Sequence, residues 1–267
     1  MNKVVIVIPI YREQPTRMER LSLMRCIDVL GEHPIHFIAP RGMDCSEYVN
    51  AREDADLTFF PPDYFSGIPG YNRLMISVEL YNTFSSYEFM LLYQLDAYVF
   101  RDELLDWCEK GFDYIGGAVH DFQVDKFSER TEITTLNGGF SLRKISSALA
   151  VLNANQKIYA LEDLLRANRQ QSGWLKGSLM GYKYHFLGNN TNHRRNKYDR
   201  NEDMFWARVC VRLFDWYTVA PIEEALKFSF DNYPEKSYEL TDKKLPFACH
   251  AFEKHAYFWK KYIDIKQ

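Results

Sequence analysis

What this chain lacks narrows its function before what it contains does. Its five cysteines, Cys26, Cys45, Cys108, Cys210 and Cys249, are odd in number, far apart and without a C-x-x-C pair, so they suit reduced thiols better than a disulfide framework or a zinc knuckle. No apolar run approaches membrane-spanning length, and the stretch from Val4 to Ile10 is too short for a signal peptide. The expectation is a soluble, cytoplasmic protein. Neither sign of charge is in surplus: 33 Lys and Arg stand against 36 Asp and Glu, a formal net charge of −3. The basic excess of a general nucleic-acid binder is therefore missing. Also missing are G-x-G-x-x-G after the first strand, the P-loop G-x-x-x-x-G-K-[ST] and G-x-S-x-G. Their absence disfavours dehydrogenase-type dinucleotide binding, a P-loop and Ser-His-Asp hydrolysis. No internal repeat, low-complexity tract or flexible linker is visible.

What is present is a core. With 267 residues and 46% hydrophobic content, the chain can bury one large domain. Val4 to Ile10 reads as a first buried strand; Thr16 caps a helix from Arg17 to Leu30 that ends at Gly31 as its C′ residue, and Ile35 to Ala39 is a second strand. This β-α-β start favours a right-handed parallel unit. Leu57 to Phe60 is a further strand, Pro61 to Gly70 is rich in turn residues, and helical spacing runs from Tyr71 to Tyr81. The longest apolar run, Phe89 to Phe100, reads as a strand buried on both faces with Asp96 at its C-terminal end. In open α/β sheets that end is where ligands bind. Glu103 to Lys110 is a helix, Asp113 to Gly117 a strand end, and His120 to Thr135 a polar loop. Leu136 to Lys144 enters as a strand through two glycines, and helices follow near 145–153 and 161–168. Gln170 to Arg200 reads as irregular, Asn201 opens a helix to about Leu213, Phe228 to Phe230 is a short strand, and Pro246 to Phe252 leads into a final aromatic-basic helix.

Four separated pieces carry residue types that make chemical sense together: Gln94-Leu-Asp96, Asn137-Gly138-Gly139, Asn201-Glu202-Asp203 and His250. A carboxylate and an imidazole can share Mg2+ or Mn2+ with diphosphate oxygens and water, and such an ion neutralises charge on a diphosphate leaving group. Paired glycines let a sugar or a backbone approach closely. A carboxylate opening a helix can take a proton from an attacking hydroxyl. Each piece has a plainer reading: Asp96 as a turn residue, the glycines as a bend, Asn201 to Asp203 as a cap and first turn, His250 as a satisfied core histidine.

Taken in order, the Val-Ile-Pro strand, the aspartate ending the central strand, Asn-Gly-Gly-Phe-Ser-Leu-Arg, Asn-Glu-Asp and a late Cys-His-Ala resemble GT-A glycosyltransferases. The likeness spans Val4 to about Phe252 and is strongest to a microbial branch catalogued mainly as a domain of unknown function. The resemblance implies an α/β fold, a GT-A-like, Rossmann-like three-layer sandwich around a mostly parallel mixed sheet. It implies one domain over 1–267, with a nucleotide-binding half of about 1–117 and an acceptor and catalytic half of about 118–267. It also implies a nucleotide-sugar donor, UDP-linked by family habit, a glycan or lipid-linked glycan acceptor, and a role in polysaccharide biosynthesis.

Carried over residue by residue, Asp96 corresponds to the last, metal-binding aspartate of D-x-D and His250 to the late metal-binding histidine. Gly138 and Gly139 with Asn137 correspond to the loop beside the two sugars. Asp203 corresponds to the catalytic base, which would support a single in-line, inverting displacement, and Glu202 orients it or contacts the acceptor. Pro9, Ile10, Tyr11 and Arg12 would lie against the nucleotide; Tyr71, Asn72 and Arg73, apart from the resemblance, read either as lining the nucleotide pocket or as plain first-turn helix residues. Gln94 departs from the pattern: it replaces the first acid of D-x-D with an uncharged amide, leaving Mn2+ or Mg2+ held by fewer charges or absent. The alternatives are a glycoside hydrolase using Asp96 and Asp203 as paired carboxylates and a non-catalytic nucleotide-sugar or glycan-binding module. The basic run Arg194, Arg195, Lys197 and Arg200 reads as a solvated loop or a flap closing on an anion. Tyr257 to Lys261 reads as core packing with exposed lysines or as a contact with an anionic membrane.

Overall fold

The computed structural model describes residues 2–125 and 128–265, and for 121–135 the backbone course alone. The first half alternates strand and helix: β1 (Asn2–Pro9), α1 (Arg17–Leu30), β2 (Ile35–Pro40), α2 (Ser46–Val49), β3 (Asp56–Phe60), α3 (Gly67–Met75), α4 (Val78–Thr83) and β4 (Tyr87–Tyr93). β5 (Tyr98–Val99), α5 (Leu104–Glu109), β6 (Tyr114–Asp125) and β7 (Ser128–Lys144) follow. Then come α6 (Ile145–Asn153), α7 (Leu161–Ser172), α8 (Trp174–Leu187), α9 (Thr191–Asn196), α10 (Glu202–Met204) and α11 (Cys210–Leu213). The last elements are α12 (Ile222–Phe228), β8 (Ser229–Phe230), α13 (Pro234–Leu240), β9 (Ala248–Cys249) and α14 (Ala256–Trp259).

The strands form one sheet in the order β3-β2-β1-β4-β7-β6-β8-β9-β5. It is parallel from β3 to β4 and across β6, β8 and β9, and antiparallel where β7 pairs with β4 and β6 and where β5 pairs with β9. Because side chains alternate along a strand, each central strand feeds two cores. Val5, Val7, Met90 and Leu92 pack with α3, α4, α6 and the region of Phe205 to Tyr217 on one face. Ile6, Ile8, Leu91 and Tyr93 pack with α1, α2 and α5 on the other. This is the expected helix–sheet–helix sandwich.

α1 starts at Thr16, whose Oγ accepts from Glu19 N at 3.1 Å while Glu19 Oε2 accepts from Thr16 N at 2.7 Å, a complete capping box. Gly31 ends it in a right-handed conformation, φ −66°, not the left-handed one expected of a C′ glycine. The helix expected from Tyr71 is two helices, because Ser77 caps α4 by accepting from Leu80 N at 3.2 Å. The apolar run from Phe89 is also split: β4 ends at Tyr93, and Tyr98 and Val99 pair with β9 at the far edge. The polar stretch after His120 is a strand hairpin paired from Tyr114↔Arg143 to Asp125↔Ser128, with register shifts at Gly116/Gly117 and Val119/His120, in keeping with its β-branched threonines and isoleucine.

Residues 170–200 are helical, not irregular. Of their glycines Gly173, at φ +78°, and Gly188 end α7 and α8, whereas Gly177 and Gly181 pack α8 against α7. The basic run sits on α9 and just beyond it, with Arg195 tied to the Leu152 carbonyl and to Asn192, which does not suit a free flap. In the C-terminal segment Phe258 and Trp259 are buried in the core, while Tyr257, Lys260 and Lys261 are exposed.

Candidate active site

Four of the separated segments meet where β4 ends, beside the irregularity within β7 between Asn137 and Ser141. Gln94 N donates to the Gly139 carbonyl at 2.9 Å, fixing the end of β4 against the glycine bend. Residues 138 and 139 face opposite ways, and each is glycine because something occupies the place of a Cβ. On Gly138 a Cβ would lie 2.0 Å from Glu202 Oε1 and 3.0 Å from the Arg143 guanidinium. On Gly139 it would lie 2.0 Å from His250 Nε2 and 2.7 Å from Gln94 Oε1. The bend is thus threaded between two charged clusters. Asn137 shapes it by accepting from Gly139 N at 2.6 Å.

On the first side Arg143, fully buried, donates to Glu202 Oε1 at 2.9 Å, to Tyr81 Oη at 3.1 Å, to Ser141 Oγ at 3.0 Å and to the Gly138 carbonyl at 3.3 Å. Burial pushes the Glu202 carboxyl up from its ordinary range, with Arg143 opposing. Glu202 lies buried beneath the bend, and its Oε2 has no hydrogen-bond partner. Asn72 is also placed differently from the expectation: its side-chain oxygen accepts from Glu202 N at 3.2 Å, so it anchors the acidic turn. Next to it Asp203 is half-buried, its Oδ1 accepting from Met204 N at 2.6 Å. Burial raises its pKa, Asp231 adds to that, and His250 counters it.

On the second side His250 is held at both ring nitrogens. Nδ1 is 2.6 Å from Asp231 Oδ1, and Nε2 is 3.0 Å from Asp96 Oδ1 and 3.2 Å from Gln94 Oε1. Burial alone would lower the imidazole pKa, but Asp96 and Asp231 outweigh it and raise it to about 10. In return, although burial works to raise the Asp96 carboxyl, His250 and Lys254 hold it below the ordinary range. Asp231 escaped the sequence reading although the rule that selected Asp96 applies to it, since it follows β8 directly. Arg143 was read as one more residue of a strand.

No group of three or more His, Cys, Asp and Glu side chains among the described residues could hold a metal. A mixed donor set does converge: imidazole Nε2, carboxylate Oδ1 and amide Oε1 stand 3.0 and 3.2 Å apart as given above, about the separation of neighbouring ligands around an octahedral ion with bonds of about 2.1 Å. The Asp231 carboxylate on Nδ1 would orient the ring, as outer partners of metal-bound histidines do. Mn2+ or Mg2+ would be held by these donors only on displacing the Nε2 proton that Asp96 and Asp231 stabilise, and would then have one carboxylate charge in its set.

Gln94 and Asp96 of this cluster line a cleft of about 540 Å³, together with Pro9, Tyr11, Arg12 and Tyr71 among others. Arg12 lies 4.8 Å from the Tyr11 ring centre and donates to its hydroxyl at 3.1 Å, while Tyr11 donates to Glu19 Oε1 at 3.2 Å. Ile10 is buried in the core and supports the cleft without lining it. The Tyr71 hydroxyl is buried with no partner.

The family model described as a protein of unknown function (DUF5672) matches residues 54–250. No curated protein matches the sequence. Among solved structures the chain is similar to a glycosyltransferase involved in glycosylation of the major capsid of PBCV-1, at 11% identity over 99% of this chain and 100% of that one, with TM-score 0.48. It is similar to the galactosyltransferase LgtC in complex with donor and acceptor sugar analogues, at 11% identity over 92% and 86%, with TM-score 0.44. It is also similar to mouse xyloside xylosyltransferase 1, at 10% identity over 93% and 97%, with TM-score 0.48.

Proposed function

The chain belongs to the DUF5672 family, and we propose that it is a glycosyltransferase moving a sugar from a nucleotide-sugar donor, UDP-linked by the habit of the enzymes its motifs resemble, to a hydroxyl of a glycan or lipid-linked glycan. The observation that carries this reading is the bend at Gly138 and Gly139, stripped of side chains, with the acidic turn on one side and the His250 cluster on the other. The bare backbone lets Glu202 and His250 close on the bend from its two sides, which draws the turn carrying a proton acceptor toward the charged leaving-group site, as displacement at a single sugar carbon needs.

Asp203 takes the proton of the acceptor hydroxyl as its oxygen attacks the anomeric carbon. The bond from that carbon to the diphosphate oxygen breaks, and the electron pair leaves with the nucleoside diphosphate. One base and one displacement give inversion. Asp96, His250 and Gln94 would hold Mn2+ or Mg2+, which when bound would neutralise the charge on the departing diphosphate. Arg143, Glu202 and Asn72 fix the turn that carries Asp203, and Tyr11 and Arg12 form the cleft wall on the nucleotide side.

Replacing Asp203 by Asn is expected to reduce transfer by at least about 10²-fold while leaving donor affinity, read by calorimetry, near the parent value. Full activity in that variant would remove Asp203 from the base role. Because its pKa is raised, the parent rate should climb with pH along a limb above the ordinary carboxylate range. Loss of turnover in EDTA with recovery on Mn2+ would support the cation, and turnover unchanged by EDTA would exclude it. A second reading follows from the split between Asp203, pushed up, and Asp96, held down, since hydrolase carboxylate pairs diverge in the same way. Cleavage of a simple glycoside without any nucleotide would select it. Donor-induced melting shifts with no turnover would leave a binding module.

A further inference from the structure

Away from the cleft, α8 packs by its smallest side chains. Gly177 and Gly181 press on α7 so closely that a Cβ on Gly177 would lie 2.4 Å from the Asn168 carbonyl oxygen. The opposite side carries Leu175, Leu179, Tyr182 and Phe186, whose spacing of four, three and four keeps them in one line along a helix. They are 78%, 71%, 45% and 69% exposed. Lys176 and Lys183, seven residues apart, share one flank of that line. Trp174 opens the helix, also exposed, with the Arg169 guanidinium 5.2 Å from its ring centre.

The charge around this helix runs against the rest of the chain. Residues 157–200 hold nine Lys and Arg and three Asp and Glu, in a protein of formal net charge −3. The side away from this line is packed on α7, so it is the exposed surface alone, leucines and aromatics with lysines on the flank and a tryptophan at the end, that has the make-up of an element lying in a bilayer interface. Its 14 residues are too few to cross, since spanning takes about 20. A protein partner suits it less well: lysine is depleted in protein interfaces, whereas at a bilayer a lysine buries its stem and lifts its ammonium to the lipid phosphates.

We propose that α8 docks this protein on an anionic lipid bilayer, with Leu175, Leu179, Tyr182 and Phe186 among the headgroups and upper acyl chains and Lys176 and Lys183 on lipid phosphates. This docking stands independently of whether the cleft transfers sugar.

The test is co-sedimentation of the full chain with vesicles of phosphatidylcholine containing phosphatidylglycerol, beside vesicles of phosphatidylcholine alone. The parent is expected to bind the anionic vesicles, and less so as salt is raised. Leu175→Glu with Leu179→Glu, and separately Lys176→Glu with Lys183→Glu, should each cut partitioning roughly tenfold or more. All four positions are exposed, so unchanged circular dichroism and melting will establish that the variants fold. Binding by the leucine variant equal to the parent's, or no binding of the parent, would overturn the proposal. So would a parent dimer that the leucine substitutions dissociate while vesicle binding is absent, which would assign the face to a second copy of the chain.

Discussion

Gly139→Ala adds one methyl group at the point where the geometry leaves least room. The new carbon would stand 2.0 Å from His250 Nε2, where ordinary contact begins at 3.4 Å, so the ring must withdraw by more than an ångström. It cannot do so freely, because Nδ1 is held by Asp231 at 2.6 Å and the side chain is buried. Overpacking of this kind costs about 1–3 kcal/mol, which for a chain of this size lowers Tm by roughly 2–12 °C. The effect on turnover should be larger, since a displacement of about 1 Å in a reacting geometry costs on the order of 10²-fold. Melting by calorimetry and turnover of a nucleotide-sugar donor, measured on one preparation, give both numbers. Gly173→Ala is the contrast: nothing lies within 4 Å of its Cβ, though φ +78° adds backbone strain there, so it should lose some stability and no activity. If Gly139→Ala keeps parental melting and turnover, His250 does not pack on the bend and the site as described is wrong.

Arg143→Met leaves Glu202 buried without its partner and should cost about 3–5 kcal/mol in urea unfolding, whereas adding Glu202→Met should recover most of that loss; a double variant as unstable as the sum of the singles would refute a coupled pair. In the single variant the Glu202 pKa, already raised, loses the one influence that opposed burial, so the folded state holds the proton more tightly than the unfolded one. The deficit should then widen as pH rises through the folded pKa and narrow on acidification, and unfolding at pH 5 and pH 8 would expose the opposite sign. Thr16→Ala removes the acceptor of Glu19 N and should cost about 1 kcal/mol, read as a lower urea midpoint with an unchanged slope.

Much of this architecture is legible in the residues because local signals and global fold agree. The β-branched run at Val4, the Thr16 and Glu19 pair and the apolar block at Phe89 each state their own element. The departures share one cause, which is that tertiary contacts decided what local pattern left open. Gly177 and Gly181 look like interruptions until α7 is seen against them, where absence of a side chain is what lets two helices touch. Tyr98 and Val99 continue an apolar run in sequence but leave β4, because β9, some 150 residues later, offers them an edge. Ser77 breaks a pattern that is helical in spacing because a hydroxyl that can cap a helix locally also ends the one before it.

The site divides along a similar line. Asp96, His250, Gly138 and Gly139 were legible because their chemistry is unusual for their positions: an acid ending an apolar strand, a histidine among Phe and Cys, two glycines entering a strand. Asp231 and Arg143 were not, because an acid after a two-residue strand and a basic residue within a strand are ordinary in sequence. Their importance arises from burial, which no residue announces alone. Once Arg143 is enclosed it must find an anion and Glu202 must find a cation. Glu202 and Asp203 are neighbours, and their environments drive them into different work. Glu202 is drawn under the bend to satisfy Arg143, and that commitment fixes the turn on which Asp203 feels the charges of His250 and Asp231. The sequence Asn201-Glu202-Asp203 is therefore one device in which the buried acid fixes the backbone, and on the proposed mechanism the half-buried acid accepts the proton.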